Sequence, residues 1–166
     1  MNKYIILCVD DEREVLDSVL ADLDGLSELF DLEAAQSVDE ARDFLTESQQ
    51  NQQTLALILC DHLMPGTKGV DFLIELQQQG EYKAAKKVLL TGQAGLEDTV
   101  EALNRGGLDF YIAKPWQGDE LFAHTQELLT DYILDNEKDL MRYARLLDAE
   151  KIFSAIHARR QSISND

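Results

Sequence analysis

The sequence predicts an α/β protein: a doubly wound, five-stranded parallel sheet followed by a C-terminal helical extension. Three observations predict it. Apolar runs and helix-period stripes alternate five times within about 130 residues. The best of these runs are short and unbroken by polar residues, as strands buried on both faces require. Four of the five runs end in, or just before, a residue able to do chemistry. Parallel strands need crossover connections, right-handed almost without exception, so one sheet with helices on both faces is the economical result.

The elements follow in order. Tyr4 to Val9 is the first strand and ends in Asp10-Asp11. From Glu12 to Leu26, Val15, Leu16, Val19, Leu20 and Leu23 recur at helical spacing, with Gly25 as the expected stop. Phe30 to Ala35 is a weaker second strand. Ser37 with Glu40 three residues later forms a capping-box signature, opening a helix through Ala41, Phe44 and Leu45. The polar stretch Gln49 to Gln53 has no core-forming residue and reads as loop or frayed helix end. Leu55 to Cys60 is the most strand-like run and ends in Asp61, followed by a loop at Met64-Pro65-Gly66. Val70, Leu73, Ile74 and Leu76 make the next helix stripe, stopping near Gly80. Val88 to Thr91 is the fourth strand; Leu96, Val100 and Leu103 mark the helix after it, closed by Gly106-Gly107. Leu108 to Ile112 is the fifth strand, followed by Lys114-Pro115 and a last helix from about Asp119.

Hydrophobic residues make up 45% of the 166 and charged residues 28%, enough for a packed core. The formal net charge of -17 repels nucleic-acid phosphates and anionic membrane surfaces, so the expected partners are proteins, with no direct nucleic acid and no membrane. No run of apolar residues is long enough to cross a bilayer. Cys8 and Cys60 sit inside apolar runs, and no signal-peptide pattern precedes Tyr4-Ile5-Ile6-Leu7. Both thiols are expected to be reduced and buried in a cytoplasmic protein.

In an open parallel sheet, ligands bind beyond the carboxyl ends of the strands. The first strand delivers Asp10 and Asp11 to that edge, the third Asp61, the fourth Thr91 and the fifth Lys114. Three carboxylates crowded there repel one another unless a cation sits among them, and a hard divalent ion with oxygen ligands, Mg²⁺ best, is expected. Lys114 adds a fixed positive charge and Thr91 a hydroxyl. Such a set can stabilise charge spread over phosphoryl oxygens while Asp61 acts as nucleophile.

With these residues in place, residues 3 to 130 resemble the receiver domain of two-component response regulators. The resemblance rests on Asp10-Asp11, on Asp61 followed by Met64-Pro65-Gly66, on Thr91-Gly92, and on Tyr111-Ile112-Ala113-Lys114-Pro115. It implies a flavodoxin-like sheet of strand order 2-1-3-4-5 and a signalling switch, with self-phosphotransfer and self-dephosphorylation as its only catalysis. Asp61 would be the phosphoacceptor, with a sensor histidine kinase or phosphotransfer protein as donor and a protein effector downstream. The resemblance further implies that Asp11 and Asp61 bind Mg²⁺ through side chains, Asp10 through water and Leu63 through its carbonyl. Thr91 and Lys114 would contact the phosphoryl group, Tyr111 would be the switch aromatic, and Lys114-Pro115 a cis peptide. Leu63 and Gln93 occupy positions that tune phosphoryl lifetime in this family. Leu63 has no polar group to position water, so slow self-dephosphorylation is expected.

Residues 131–166 exceed what a receiver needs. Ile133, Leu140 and Leu147 fall seven apart, and Ile152, Phe153 and Ile156 extend the pattern. An amphipathic helix is expected, either packed back on the receiver or paired with a second copy as a dimerisation helix, the latter being favoured. It could equally link to an output region. Two other function classes compete. A Mg²⁺-dependent phosphohydrolase would need a second acid soon after its nucleophile, where His62-Leu63 stands; a phosphorylation-independent interaction module would not need the full polar set. His62 and His124 are isolated in sequence, and Trp116 is expected near the base of the last helix.

Overall fold

The computed structural model describes residues 1–92 and 95–164. Five strands form one parallel sheet: β1 (Tyr4–Val9), β2 (Phe30–Ala35), β3 (Thr54–Cys60), β4 (Lys86–Leu90) and β5 (Phe110–Ile112), in the order β2-β1-β3-β4-β5. The helices are α1 (Arg13–Asp22), α2 (Val38–Gln50), α3 (Gly69–Gln78), α4 (Leu96–Arg105), α5 (Gly118–Asn136) and α6 (Ala149–Ser164). The fold class and strand order are those the sequence predicts.

Strand alternation divides the core into two layers. Tyr4, Ile6 and Cys8 of β1 face Leu16 and Val19 of α1 and Leu121, Leu129 and Ile133 of α5. Ile5, Leu7 and Val9 face Ala41 and Leu45 of α2, Leu73 and Leu76 of α3 and Ala102 of α4. Every residue of β1 is buried, so both faces are covered, which explains its unbroken apolar run. The register between β1 and β3 shifts at Ile5/Ile6, leaving Ala56 and Leu57 in the same layer.

Several boundaries are set by contacts that local pattern does not reveal. The first helix stops at Asp22 and a 3-10 turn at Asp24–Leu26 follows, so Gly25 lies within a turn. The Ser37 cap forms, Glu40 N–H donating to Ser37 Oγ at 3.1 Å, while the Glu40 carboxylate reaches back one residue beyond the cap and accepts the Gln36 N–H at 3.1 Å. β4 begins earlier than expected, at Lys86, and Lys87 is fully buried. The Lys87 ammonium donates to the carbonyls of Tyr82 (3.0 Å), Lys83 (3.2 Å) and Ala85 (2.8 Å). Burial pulls it down to about 8, with the Asp109 charge opposing.

The extension differs most from expectation. α5 runs unbroken past residue 130 to Asn136, a 3-10 turn spans Leu140–Tyr143, and α6 begins at Ala149. Residues 133–147 therefore do not form one helix. Ile133, Leu140 and Leu147 are all buried, but in the chain's own core, with Tyr4, Phe30 and Tyr143. Tyr143 packs against the rings of Tyr4 and Phe30 at centroid distances of 5.9 and 5.7 Å.

Glu137 fixes this junction. Its carboxylate accepts from the Tyr4 hydroxyl (2.7 Å), the Lys3 ammonium (2.9 Å) and the N–H groups of Lys138 (2.9 Å) and Asp139 (3.1 Å). Burial raises its pKa, but these donors more than offset that and hold it at about 2. Arg159 of α6 donates to the carbonyls of Leu134 (2.7 Å) and Glu137 (3.4 Å) at the end of α5. Arg145 pairs with Glu28. No helix among the described residues is long and apolar enough to cross a membrane. Cys8 and Cys60 are free and buried.

Candidate functional site

The site lies where β1 and β3 meet, at the edge where strand order reverses, and it is built from strand ends. The parallel ladder runs one residue beyond three strands. Asp10 N–H donates to the Ala35 carbonyl at 3.1 Å, Asp61 N–H to Val9 at 2.9 Å, and Thr91 N–H to Ile112 at 3.1 Å. Each reactive side chain thus starts from a fixed backbone. Asp10, Asp61 and Thr91 are buried; Asp11 is exposed.

Asp10, Asp11 and Asp61 each offer an oxygen such that all three lie within 4.8 Å of one another. Lys114 closes the cluster from the loop after β5, its Nζ 2.7 Å from Asp10 Oδ2 and 3.5 Å from Asp61 Oδ1. The other oxygen of Asp10 accepts the Glu12 N–H at 2.8 Å, so Asp10 is held from two sides. Thr91 contributes a side-chain hydrogen bond to the Asp61 carboxylate. The Tyr111 hydroxyl donates to the Thr91 carbonyl at 2.9 Å. The Lys114-Pro115 peptide is cis. All five predicted polar residues converge. Gln93 lies outside the described residues.

The electrostatics follow from this geometry. Burial, then the Asp10 charge, raise the Asp61 carboxyl above its ordinary range, although Thr91, Lys114 and the His62 N–H work the other way. Burial pulls the Lys114 ammonium down, but its bond to Asp10 and the charges of Asp10, Asp61 and Glu12 raise it on balance. Asp61 is thus a carboxylate held at some electrostatic cost beside a firmly charged amine.

The donor set fits a hard divalent cation: carboxylate oxygens only, two of the three residues buried, in a cluster whose mutual repulsion a 2+ ion would relieve. The surrounding cleft, of about 560 Å³, is lined by Glu12, Val15, Asp61, Leu63, Thr91 and Trp116 among others. Leu63 stands at its mouth, exposed. Trp116 is not merely near the last helix: its Nε1 donates to Asp22 Oδ2 of α1 at 2.8 Å, pinning the loop after Lys114.

Gly69 is needed for the close return of the loop after Asp61. Its N–H donates to the His62 carbonyl at 2.8 Å, and a Cβ there would overlap the Asp61 carbonyl oxygen. No local pattern around Gly69 signals this close return. His62, which sequence position alone places beside Asp61, is buried to 1% exposure and bonded to Asp98 of α4. His124 stacks on Phe110 at a centroid distance of 4.2 Å.

Comparison with known proteins accords with this site. The chain is 35% identical over 116 residues to the hydrogenase transcriptional regulatory protein HoxA of Cupriavidus necator, covering 70% of this chain and 22% of that one. It is 32% identical over 124 residues to the response regulator Rre1 of Synechocystis sp., covering 75% and 51%. The chain thus spans about half or less of these curated relatives. Among solved structures, a CheY-like response regulator receiver domain protein from Methanospirillum hungatei superposes with a TM-score of 0.68 at 29% identity, covering 82% of this chain and 100% of that one. Residues 6–126 match the response regulator receiver domain over their whole span, and the chain belongs to that family.

Proposed function

We propose that the chain is a phosphorylation-switched receiver that accepts a phosphoryl group on Asp61 from the phosphohistidine of a sensor kinase or phosphotransfer protein. The observation that carries this reading is the surroundings of Asp61: a buried strand-end carboxylate, with Lys114 Nζ at 3.5 Å, the Thr91 hydroxyl bonded to it, and Asp10 and Asp11 beside it. An Asp61 oxygen forms a bond to phosphorus as the bond to the donor nitrogen or oxygen breaks, giving an acyl phosphate and the freed donor. Lys114 and Thr91 are placed to meet charge developing on the phosphoryl oxygens. Asp11 and Asp61 would hold Mg²⁺ directly, Asp10 through water and Leu63 through its carbonyl. Bound there, the ion supplies positive charge to the phosphoryl oxygens.

Tyr111 reads the state of Thr91 through its bond to the Thr91 carbonyl, and a downstream protein reads the surface around Tyr111. The receiver occupies residues 1–130. Residues 131–166 brace it; because their heptad residues are buried in the chain's own core, a brace fits better than a dimerisation coil. A reduced cytoplasmic setting suits the free buried thiols.

The test is incubation with Mg²⁺ and acetyl phosphate. One acid-labile phosphoryl group per chain is expected, absent in Asp61→Asn. Phosphate release with turnover would instead indicate a phosphohydrolase, and no uptake a phosphorylation-independent module. Leu63→Asn, which adds an amide able to position water beside Asp61, is expected to speed loss of the phosphoryl group roughly 10-fold, less than the roughly 100-fold or more of a positioned acid or base. An unchanged loss rate would count against that role for Leu63.

A further inference from the structure

His62 directly follows Asp61, and its ring is held on both sides. The Val70 N–H donates to Nδ1 at 3.4 Å, so Nδ1 bears the lone pair and Nε2 the proton. Nε2 lies 3.0 Å from Asp98 Oδ2, in the first turn of α4. The His62 carbonyl in turn accepts the Gly69 N–H at 2.8 Å, so backbone and ring are both fixed to the start of α3. A rigid strut therefore runs from the residue beside the phosphoacceptor to a helix on a different crossover.

Few of the described side chains of that helix are buried. Among the described side chains of α4 only Ala102 is buried, while Val100 and Leu103 are exposed. With one apolar side chain buried among those described, polar bonds such as this one add to the packing that holds α4 in place.

We propose that His62 is a positioning residue coupling the state of Asp61 to the placement of α4, acting through its hydrogen bond to Asp98. The inference rests on the phosphoacceptor reading of Asp61. The strut coexists with the Thr91 side chain bonded to Asp61 and with Tyr111 bonded to the Thr91 carbonyl, so it belongs to the arrangement in which Thr91 engages the site. A phosphoryl group must meet Thr91, at the end of β4 from which the chain leads into α4. The cation donors stand on the ends of β1 and β3. Loss of the strut therefore weakens binding of a phosphoryl mimic while sparing Mg²⁺.

Asp98→Ala tests this, on a side chain that is 41% exposed and so tolerant of truncation. The reporter is Trp116, the single tryptophan, which lines the same cleft as Asp61. Mg²⁺ is titrated alone, then beryllofluoride at saturating Mg²⁺. Mg²⁺ affinity is expected to stay within about 2-fold of wild type and beryllofluoride affinity to fall about 5-fold or more, the range of modest site-to-site coupling. Asp98→Asn, whose amide oxygen accepts the same proton, is expected to restore it. Equal beryllofluoride affinity in wild type and Asp98→Ala overturns the proposal, and so does a parallel loss of Mg²⁺ affinity, which would mark general damage to the site. A wild-type chain that binds Mg²⁺ but no beryllofluoride removes the phosphoacceptor reading itself, a result visible before any variant is made.

Discussion

At one edge of the sheet Asp61 is buried beside Asp10, and burial and that neighbour raise its pKa despite donors from Thr91 and His62 and the charge of Lys114. At the opposite edge Glu137 is buried beside Tyr4, and its donors hold it at about 2. Both carboxylates are hydrogen-bonded. They differ in the sign of their neighbours: Asp61 shares its site with other acids, whereas Glu137 meets a lysine, a phenol and two N–H groups. The same sheet thus keeps one carboxylate electrostatically unsettled, ready for a phosphoryl group or a cation, and uses the other to fasten the chain's last helices.

The contrast breaks most severely at the fastened edge. Tyr143→Ala removes a fully buried ring packed on Tyr4 and Phe30 and is expected to cost about 3–5 kcal/mol, read as a fall in the urea midpoint. If the edges are independent, Mg²⁺ affinity of the folded variant stays at the wild-type value. Glu137→Gln is the next largest, at about 1–3 kcal/mol, because Lys3 and two N–H groups lose a charged acceptor. Its pH signature has a definite sign. A carboxyl held at about 2 when folded against 4.5 when unfolded contributes stability that is complete above 4.5 and is lost as pH falls toward 2. The urea midpoint of the wild type, followed from about pH 6 down to about pH 2, should hold level above 4.5 and fall below it, and Glu137→Gln should flatten that fall. The smallest effect sharpens the contrast by its opposite direction. Asp61 has a raised pKa, so its charged form opposes folding once pH exceeds the raised value; Asp61→Asn is expected to stabilise by about 1 kcal/mol at neutral pH, measured as a higher Tm.

The reactive edge was legible in the sequence because its residues follow buried strands directly. Asp10, Asp61 and Thr91 each come one residue after an apolar run, and a parallel sheet sends all such ends to one side. The fastened edge was not legible. Counting sevens from Ile133 to Leu147 assumes a continuous helix, but the chain leaves it at Glu137, so Ile133 is buried from α5 while Leu140 is buried from a 3-10 turn and Leu147 from a loop. Glu137-Lys138-Asp139, a charged run with nothing apolar, was the available sign of the break. The burial of Lys87 was not legible either, because no local pattern distinguishes a solvated lysine from one surrounded by carbonyls. The His62–Asp98 bond joins residues 36 apart, beyond the reach of any spacing rule.

Lys87 carries a consequence for how the molecule opens. Its ammonium gathers three carbonyls from the segment between α3 and β4, while its own backbone is paired in the middle of the sheet. That segment cannot peel away alone without stranding an amine in hydrocarbon or drawing β4 out with it. A connection that by position would fray early is thereby tied to the sheet, and the bonded amides of Tyr82 and Ala85 should trade hydrogen for deuterium far more slowly than those of the exposed Lys83 and Ala84 between them.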